Sequence, residues 1–201
     1  MLCSFEVFLN KTLLIIGAGG HGKSVAEAAL LSGHWQAVLF VDDRWPQARE
    51  AFGCQIVADV AGLANVAHLA QGAVVAVGSN TLRKTWFEAL ASAGLPQATV
   101  IHPQACVSAS AQIGPGSVVM ALAVVGVDVH VGAGAIINAG TVVDHDAVVE
   151  DFVHLGVGVS IAGGVRIESS AWLQAGCSAG YGVVVKRNTV FAPGTALTAK
   201  D

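Results

Sequence analysis

VGAGAIINAGTVVDHDAVVEDFVHLGVGVSI, residues 131–161, carries an aliphatic residue at every sixth place: Val131, Ile137, Val143, Val149, Leu155 and Ile161. Followed outward, the register runs back through Val125, Val119, Ile113 and Val107 to Ile101. In the other direction it runs on through Ile167, Leu173, Ala179, Val185 and Phe191 to Leu197. Four places after each stands a small or β-branched residue, as at Ala105, Ser117, Ala135, Thr141, Ala147, Val159, Ala171 and Thr195. A fixed short period of this kind marks a repeat architecture. It reads as a coil of three short strands per turn, the large aliphatic residue pointing inward and the small one filling the corner beside it. Glycine recurs three places after the aliphatic residue, at Gly116, Gly134, Gly140, Gly158, Gly164, Gly176, Gly182 and Gly194, where a corner demands positive φ. Each rung buries its face only against its neighbours, so about five coils stack in one dimension and cover their ends by capping or oligomerisation.

N-terminal to the repeat the pattern changes. TLLIIG at 12–17, HGKSVAEAALLS at 21–32, AVLFVDD at 37–43, AVVAVG at 73–78 and TLRKTWFEALASAG at 81–94 read as β-α-β-β-α. Such alternation predicts a small parallel sheet flanked by helices, with ligands at the carboxyl ends of its strands. The expected organisation is therefore an α/β Rossmann-like unit over 1–98 and an all-β parallel helix over 99–201.

Composition narrows the class. Of 201 residues 54% are hydrophobic but only 6% aromatic, and 24 are glycine, which suits short strands and tight turns. No apolar stretch approaches the roughly 20 residues of a membrane span. The start, MLCSFEVFLNKTLLIIGAGG, lacks a basic segment and runs into a glycine-rich loop, so no export signal is expected. Cys3, Cys54, Cys106 and Cys177 are far apart without a CxxC pair, which points to neither a zinc knuckle nor a disulfide framework and makes a reducing cytoplasm the expected compartment. A net charge of −4 without a basic cluster argues against nucleic acid as a partner.

Two motifs carry chemistry. Gly17-Ala18-Gly19-Gly20-His21-Gly22 follows a strand and opens a helix, so its N–H groups are placed to receive a phosphate. Asp42 and Asp43 end the next strand, where acids hold ribose hydroxyls. The bland alternative is a glycine-rich turn without a ligand. An NAD site fails on context, because the sheet is too short for a second mononucleotide half; a nucleotide diphosphate sugar fits better. The second motif runs from Asn138 through Asp144-His145-Asp146 to His154. His145 and Asp146 fall at a coil corner. An amine attacking a thioester must lose a proton, an imidazole titrates in the useful range, and a neighbouring carboxylate fixes its tautomer and raises its basicity.

The register is similar to the repeat of the hexapeptide acyltransferases. With GAGGHG, a strand ending in Asp-Asp and the segment AVGSN at 76–80, the chain resembles sugar acetyltransferases of the sialic-acid O-acetyltransferase and UDP-N-acetylbacillosamine N-acetyltransferase type, the NeuD/PglD-like group. The resemblance implies a left-handed parallel β-helix and a homotrimer with active sites between neighbouring prisms. It implies acetyl-CoA as co-substrate, no metal, and N-acetylation of a UDP-linked amino sugar for surface glycan synthesis. Gly19, Gly20, His21, Asp42, Asp43 and Gly78 then hold the UDP-sugar. His145 is the general base, Asp146 its partner, and Asn138 contacts the acceptor or orients the base. His154, Gly163, Ala175 and Val184 line the coenzyme, with the Gly163 N–H facing the thioester carbonyl. The end, GTALTAKD, stops before the family's usual G-x-P-A motif, which bears on the outer coenzyme contacts and the final cap. O-acetylation of a sialic acid or related sugar is the alternative in the same class. A metal-dependent carbonic anhydrase, which would need three histidines such as His130, His145 and His154 converging on zinc, and a silent scaffold are the alternatives from other classes.

Overall fold

The computed structural model describes residues 11–199, so Cys3, the first ten residues of the stretch read for an export signal and the last two residues lie outside it. The first unit is a five-stranded sheet of β1 (Thr12–Ile16), β2 (Ala37–Val41), β3 (Glu50–Ala51), β4 (Cys54–Ala58) and β5 (Gly72–Val75), in the order β3-β4-β2-β1-β5. All neighbours are parallel except the edge hairpin β3–β4. Helices α1 (Gly20–Leu31), α2 (Leu63–Val66) and α3 (Asn80–Ser92) flank it. The hairpin and α2 fall between the segments AVLFVDD and AVVAVG, where no element is expected from the sequence pattern. The run TLLII divides by strand alternation: Leu13 and Ile15 join the core under α1, Leu14 and Ile16 the core under α2 and α3.

From Val100 onward, seventeen two-residue strands build a three-sided parallel β-helix. The first face stacks Cys106–Val107, Val124–Val125, Val142–Val143, Ser160–Ile161, Ser178–Ala179 and Ala196–Leu197. The second stacks Gln112–Ile113, His130–Val131, Val148–Val149, Arg166–Ile167 and Val184–Val185. The third stacks Val100–Ile101, Val118–Val119, Ile136–Ile137, His154–Leu155, Trp172–Leu173 and Val190–Phe191. The repeated aliphatic residues from Val119 to Leu173, together with corner residues such as Ala135, Ala147 and Val159, form one continuous buried core. All eight corner glycines take positive φ, and so do six residues that fill the same corner position without being glycine: Leu122, Asp128, Asp146, Phe152, Ser170 and Asn188.

The two units share a core. Val100, Val118 and Ile136 point out of the third face yet are fully or almost fully buried, because α1 and the sheet lie on them together with Met120. Burying such a side chain contributes on the order of 1.5–3 kcal/mol. The α/β unit therefore covers the third face, and the corner between the first and second faces is the edge farthest from it.

Candidate functional site

The carboxyl ends of β1, β2 and β5 open on a cleft of about 370 Å³ lined by Gly17, Gly19, Gly20, His21, Asp42, Asp43, Ala76, Val77, Gly78 and Trp86. All six residues assigned to a nucleotide-sugar from the sequence thus line one cleft. A Cβ at Gly22 would lie 1.9 Å from the Gly17 carbonyl oxygen, so Gly22 is required for the loop to pack on its helix. Gly19 and Gly20 have open space where a Cβ would be, which leaves their N–H groups at the start of α1 approachable.

The two acids differ. Asp42 accepts from the Ala18 N–H (2.7 Å) and pairs with Arg44, whose hydrogen bond is the main reason its pKa falls to about 2. Its first task is to hold the glycine loop. Asp43 is exposed and, among the described residues, accepts only from the Val60 N–H (3.1 Å). His21 has an Nε2 buried without a partner among the described residues, and burial, then the charge of Arg83, lowers its pKa to about 4. A neutral imidazole with an unused ring nitrogen can donate or accept one further hydrogen bond.

His145 stands at the far corner. Its Nδ1 donates to Asp146 Oδ2 (2.7 Å), and Asp144 Oδ2 lies 3.9 Å from Nε2. The Asp146 hydrogen bond first, then the Asp144 charge, raise its pKa. Because a carboxylate only accepts, Nδ1 carries the hydrogen, and in the neutral ring Nε2 keeps a free lone pair. The side chain is 53% exposed and lies directly over Gly163. Among the described residues the Gly163 N–H has no acceptor. Alongside, the first face presents Ser160, Ser178 and Ala196 in a groove of about 490 Å³ that also reaches Asp144.

The remaining assigned residues do not gather at this corner. Asn138 and Ala175 follow strands of the third face and sit at the opposite edge of the first face; the Asn138 side chain accepts from the Ala139 N–H (2.8 Å). Val184 lies exposed on the second face. His154, expected on the coenzyme, is 9% exposed in the seam between the units, stacked on Trp172 (5.2 Å), with Nδ1 donating to the Gly78 carbonyl (3.2 Å). It adjoins the cleft at Gly78, and burial, then the Arg83 charge, lower its pKa to about 4. His130, His145 and His154 lie on the second face, the far corner and the third face, so within one chain no histidine triad converges, and no group of three candidate metal ligands occurs among the described residues.

Sequence reading passed over Arg83 and Trp86. Trp86 walls the cleft. Arg83 is buried in the seam, and a signal existed: it precedes Phe87 and Leu90 by four and seven places, so it occupies the apolar phase of α3.

The PglD N-terminal domain model matches residues 12–90. A UDP-N-acetylbacillosamine N-acetyltransferase of Bacillus subtilis is 32% identical over 124 residues, a stretch that is 55% of this chain and 52% of that protein. Among solved structures, a histidine-to-alanine mutant of GDP-perosamine N-acetyltransferase from Caulobacter crescentus, in complex with CoA and GDP-perosamine, superposes with a TM-score of 0.86 at 32% identity, covering 93% of this chain and 90% of that one. The acetyltransferase domain of PglB from Neisseria gonorrhoeae, in complex with acetyl coenzyme A, gives 0.73 at 33% identity, covering 94% and 97%.

Proposed function

The chain belongs to the NeuD/PglD-like family of sugar acetyltransferases, and from that premise we infer that it moves an acetyl group from acetyl-CoA to the amino group of a nucleotide-linked amino sugar. The observation that carries the reading is the pairing of a nucleotide-sized cleft, holding an unpartnered His21 Nε2, with an exposed Asp-His-Asp corner. The amine attacks the thioester carbonyl, and the oxyanion of the tetrahedral intermediate meets the Gly163 N–H. His145 Nε2 takes the ammonium proton. Collapse expels CoA thiolate, to which the imidazolium returns the proton, so the products are amide and free thiol. No covalent enzyme intermediate and no metal enter these steps.

The two halves of this site lie on opposite sides of one prism, since the α/β unit covers the third face and His145 stands at the edge away from it. A complete site therefore takes the cleft of one copy and the corner of another, which supports a homotrimer. Leu122, Val124, Val127, Val142 and Val157 are exposed on the first face and its two corners, an apolar surface suited to that contact. An active monomer by light scattering would overturn the assembly. Synthesis of a surface glycan in the cytoplasm is the setting that fits such a substrate, and no helix among the described residues is long and apolar enough to cross a membrane.

UDP is the nucleotide we assign, in line with the Bacillus relative; GDP is the competing reading, because the Caulobacter structure holds GDP-perosamine. Thiol release from acetyl-CoA, measured against UDP- and GDP-linked amino sugars and free sialic acids, tests both. Release with a nucleotide-linked amino sugar is expected; release with sialic acids alone would replace N- by O-acetylation.

Asp43 is free to bind the ligand in a way that Asp42 is not. Asp43→Ala should raise KM for the nucleotide-sugar about tenfold, the scale of one lost hydrogen bond to a charged group, and spare the coenzyme. Equal weakening of both ligands by calorimetry would make Asp43 structural.

A further inference from the structure

Arg83 is 1% exposed, and each of its five N–H groups has its own acceptor. Nε donates to Gly134 O (2.7 Å), Nη1 to Val77 O (3.0 Å) and Gly78 O (3.2 Å), and Nη2 to Asn80 Oδ1 (2.8 Å) and Phe152 O (2.7 Å). Asn80 extends the ladder by donating from Nδ2 to Ser170 O (2.7 Å). Gly134, Phe152 and Ser170 are successive positive-φ residues of one corner column, so the start of α3 grips three rungs of the β-helix. Hydrogen bonding is thereby complete, but charge is not: every acceptor is neutral, and among the described residues no carboxylate pairs with Arg83. Burial lowers its pKa only to about 10, so it stays a cation at neutral pH.

An uncompensated buried cation is costly, and a purely structural clamp needs hydrogen bonds rather than charge. The loop that Arg83 holds is also a wall of the cleft. Val77 and Gly78, whose carbonyls Arg83 holds, line the nucleotide cleft, and the charge of Arg83 also acts on His21, which lines the same cleft. We propose that Arg83 is a positioning residue whose charge selects for the diphosphate of the ligand from behind the Val77–Gly78 loop, without touching it. This rests on the nucleotide-sugar reading of the cleft. It also assigns the cleft a preference: nucleoside diphosphates over monophosphates over nucleosides, whichever base is used.

Calorimetry with UDP, UMP and uridine, and with GDP, GMP and guanosine, tests this on the wild type and three variants. Arg83→Gln removes the charge and part of the ladder. Asn80→Asp neutralises the charge while leaving the guanidinium in place, at the cost of the Ser170 bond. The two disturb different bonds, so if one unfolds the other decides. Arg83→Lys keeps the charge and loses the fork geometry. In the neutralised variants diphosphate affinity should fall about 10- to 100-fold while nucleoside affinity changes less than about threefold, and Arg83→Lys should keep the preference. Loss by one common factor across all three ligand types, or an unchanged diphosphate affinity, would make Arg83 a clamp only. A wild type that binds no nucleotide would overturn the nucleotide reading itself, and the role of Arg83 with it.

Discussion

Replacing His145 with alanine should lower kcat by about 10²–10⁴-fold, the usual contribution of a general base, and leave the fold in place. Its ring stands half in solvent over a glycine, where a side chain supplies little packing, so neither Tm nor the coenzyme Kd should move much. The pH profile separates this role from a mere contact. The base must be neutral to accept a proton, and the Asp146 hydrogen bond raises its pKa, so the acidic limb of the kcat profile should lie above that of an ordinary histidine. Asp146→Ala removes the leading cause of that shift. It should lose less activity than His145→Ala and carry the limb to lower pH. Near-native turnover in His145→Ala, alongside loss in His154→Ala with coenzyme affinity intact, would place the base at the wrong histidine.

The corner that carries His145 was legible in the sequence because the six-residue period fixes which residues turn and which face inward. The period does not say which side of the prism another unit will cover. Val100, Val118 and Ile136, buried by the α/β unit, occupy the same outward position as Val124 and Val142, which remain exposed. Before folding, both sets are equivalent valines and isoleucines on repeating strands. That ambiguity hid the seam around His154, whereas the separation of Asn138 from His145 follows from the period itself, which places them at successive corners of one coil. The edge hairpin β3–β4 was illegible for a different reason: Glu50–Ala51 and Cys54–Ala58 are short and bury only Ile56 and Ala58, and their pairing comes from β4 docking beside β2 rather than from local propensity. Non-glycine corners such as Phe152 also escape a glycine count. Phe152 holds positive φ while its ring meets Phe87 edge-on (5.2 Å) and its carbonyl accepts from Arg83. Tertiary contacts there override the backbone preference.

Gly163→Ala should cost on the order of 10² in kcat, the scale expected when a catalytic group is displaced by about 1 Å. An alanine Cβ there would lie 2.6 Å from His145 Cε1 and 2.7 Å from Nε2, so the imidazole must lift off the coil. The three atoms nearest the added methyl all belong to that ring. The clash is with the free end of an exposed side chain, so Tm should change little. The Gly163 N–H itself survives the substitution, so a loss in kcat reports on the ring and not on the donor. A double-mutant cycle makes the distinction sharp. With His145 already alanine there is no ring to displace, and adding Gly163→Ala should lower the residual rate less than about threefold, a strongly non-additive result for two residues in contact. If Gly163→Ala instead costs the same factor with and without His145, the added methyl acts on the bound coenzyme, and the seating of His145 on Gly163 does not position the base.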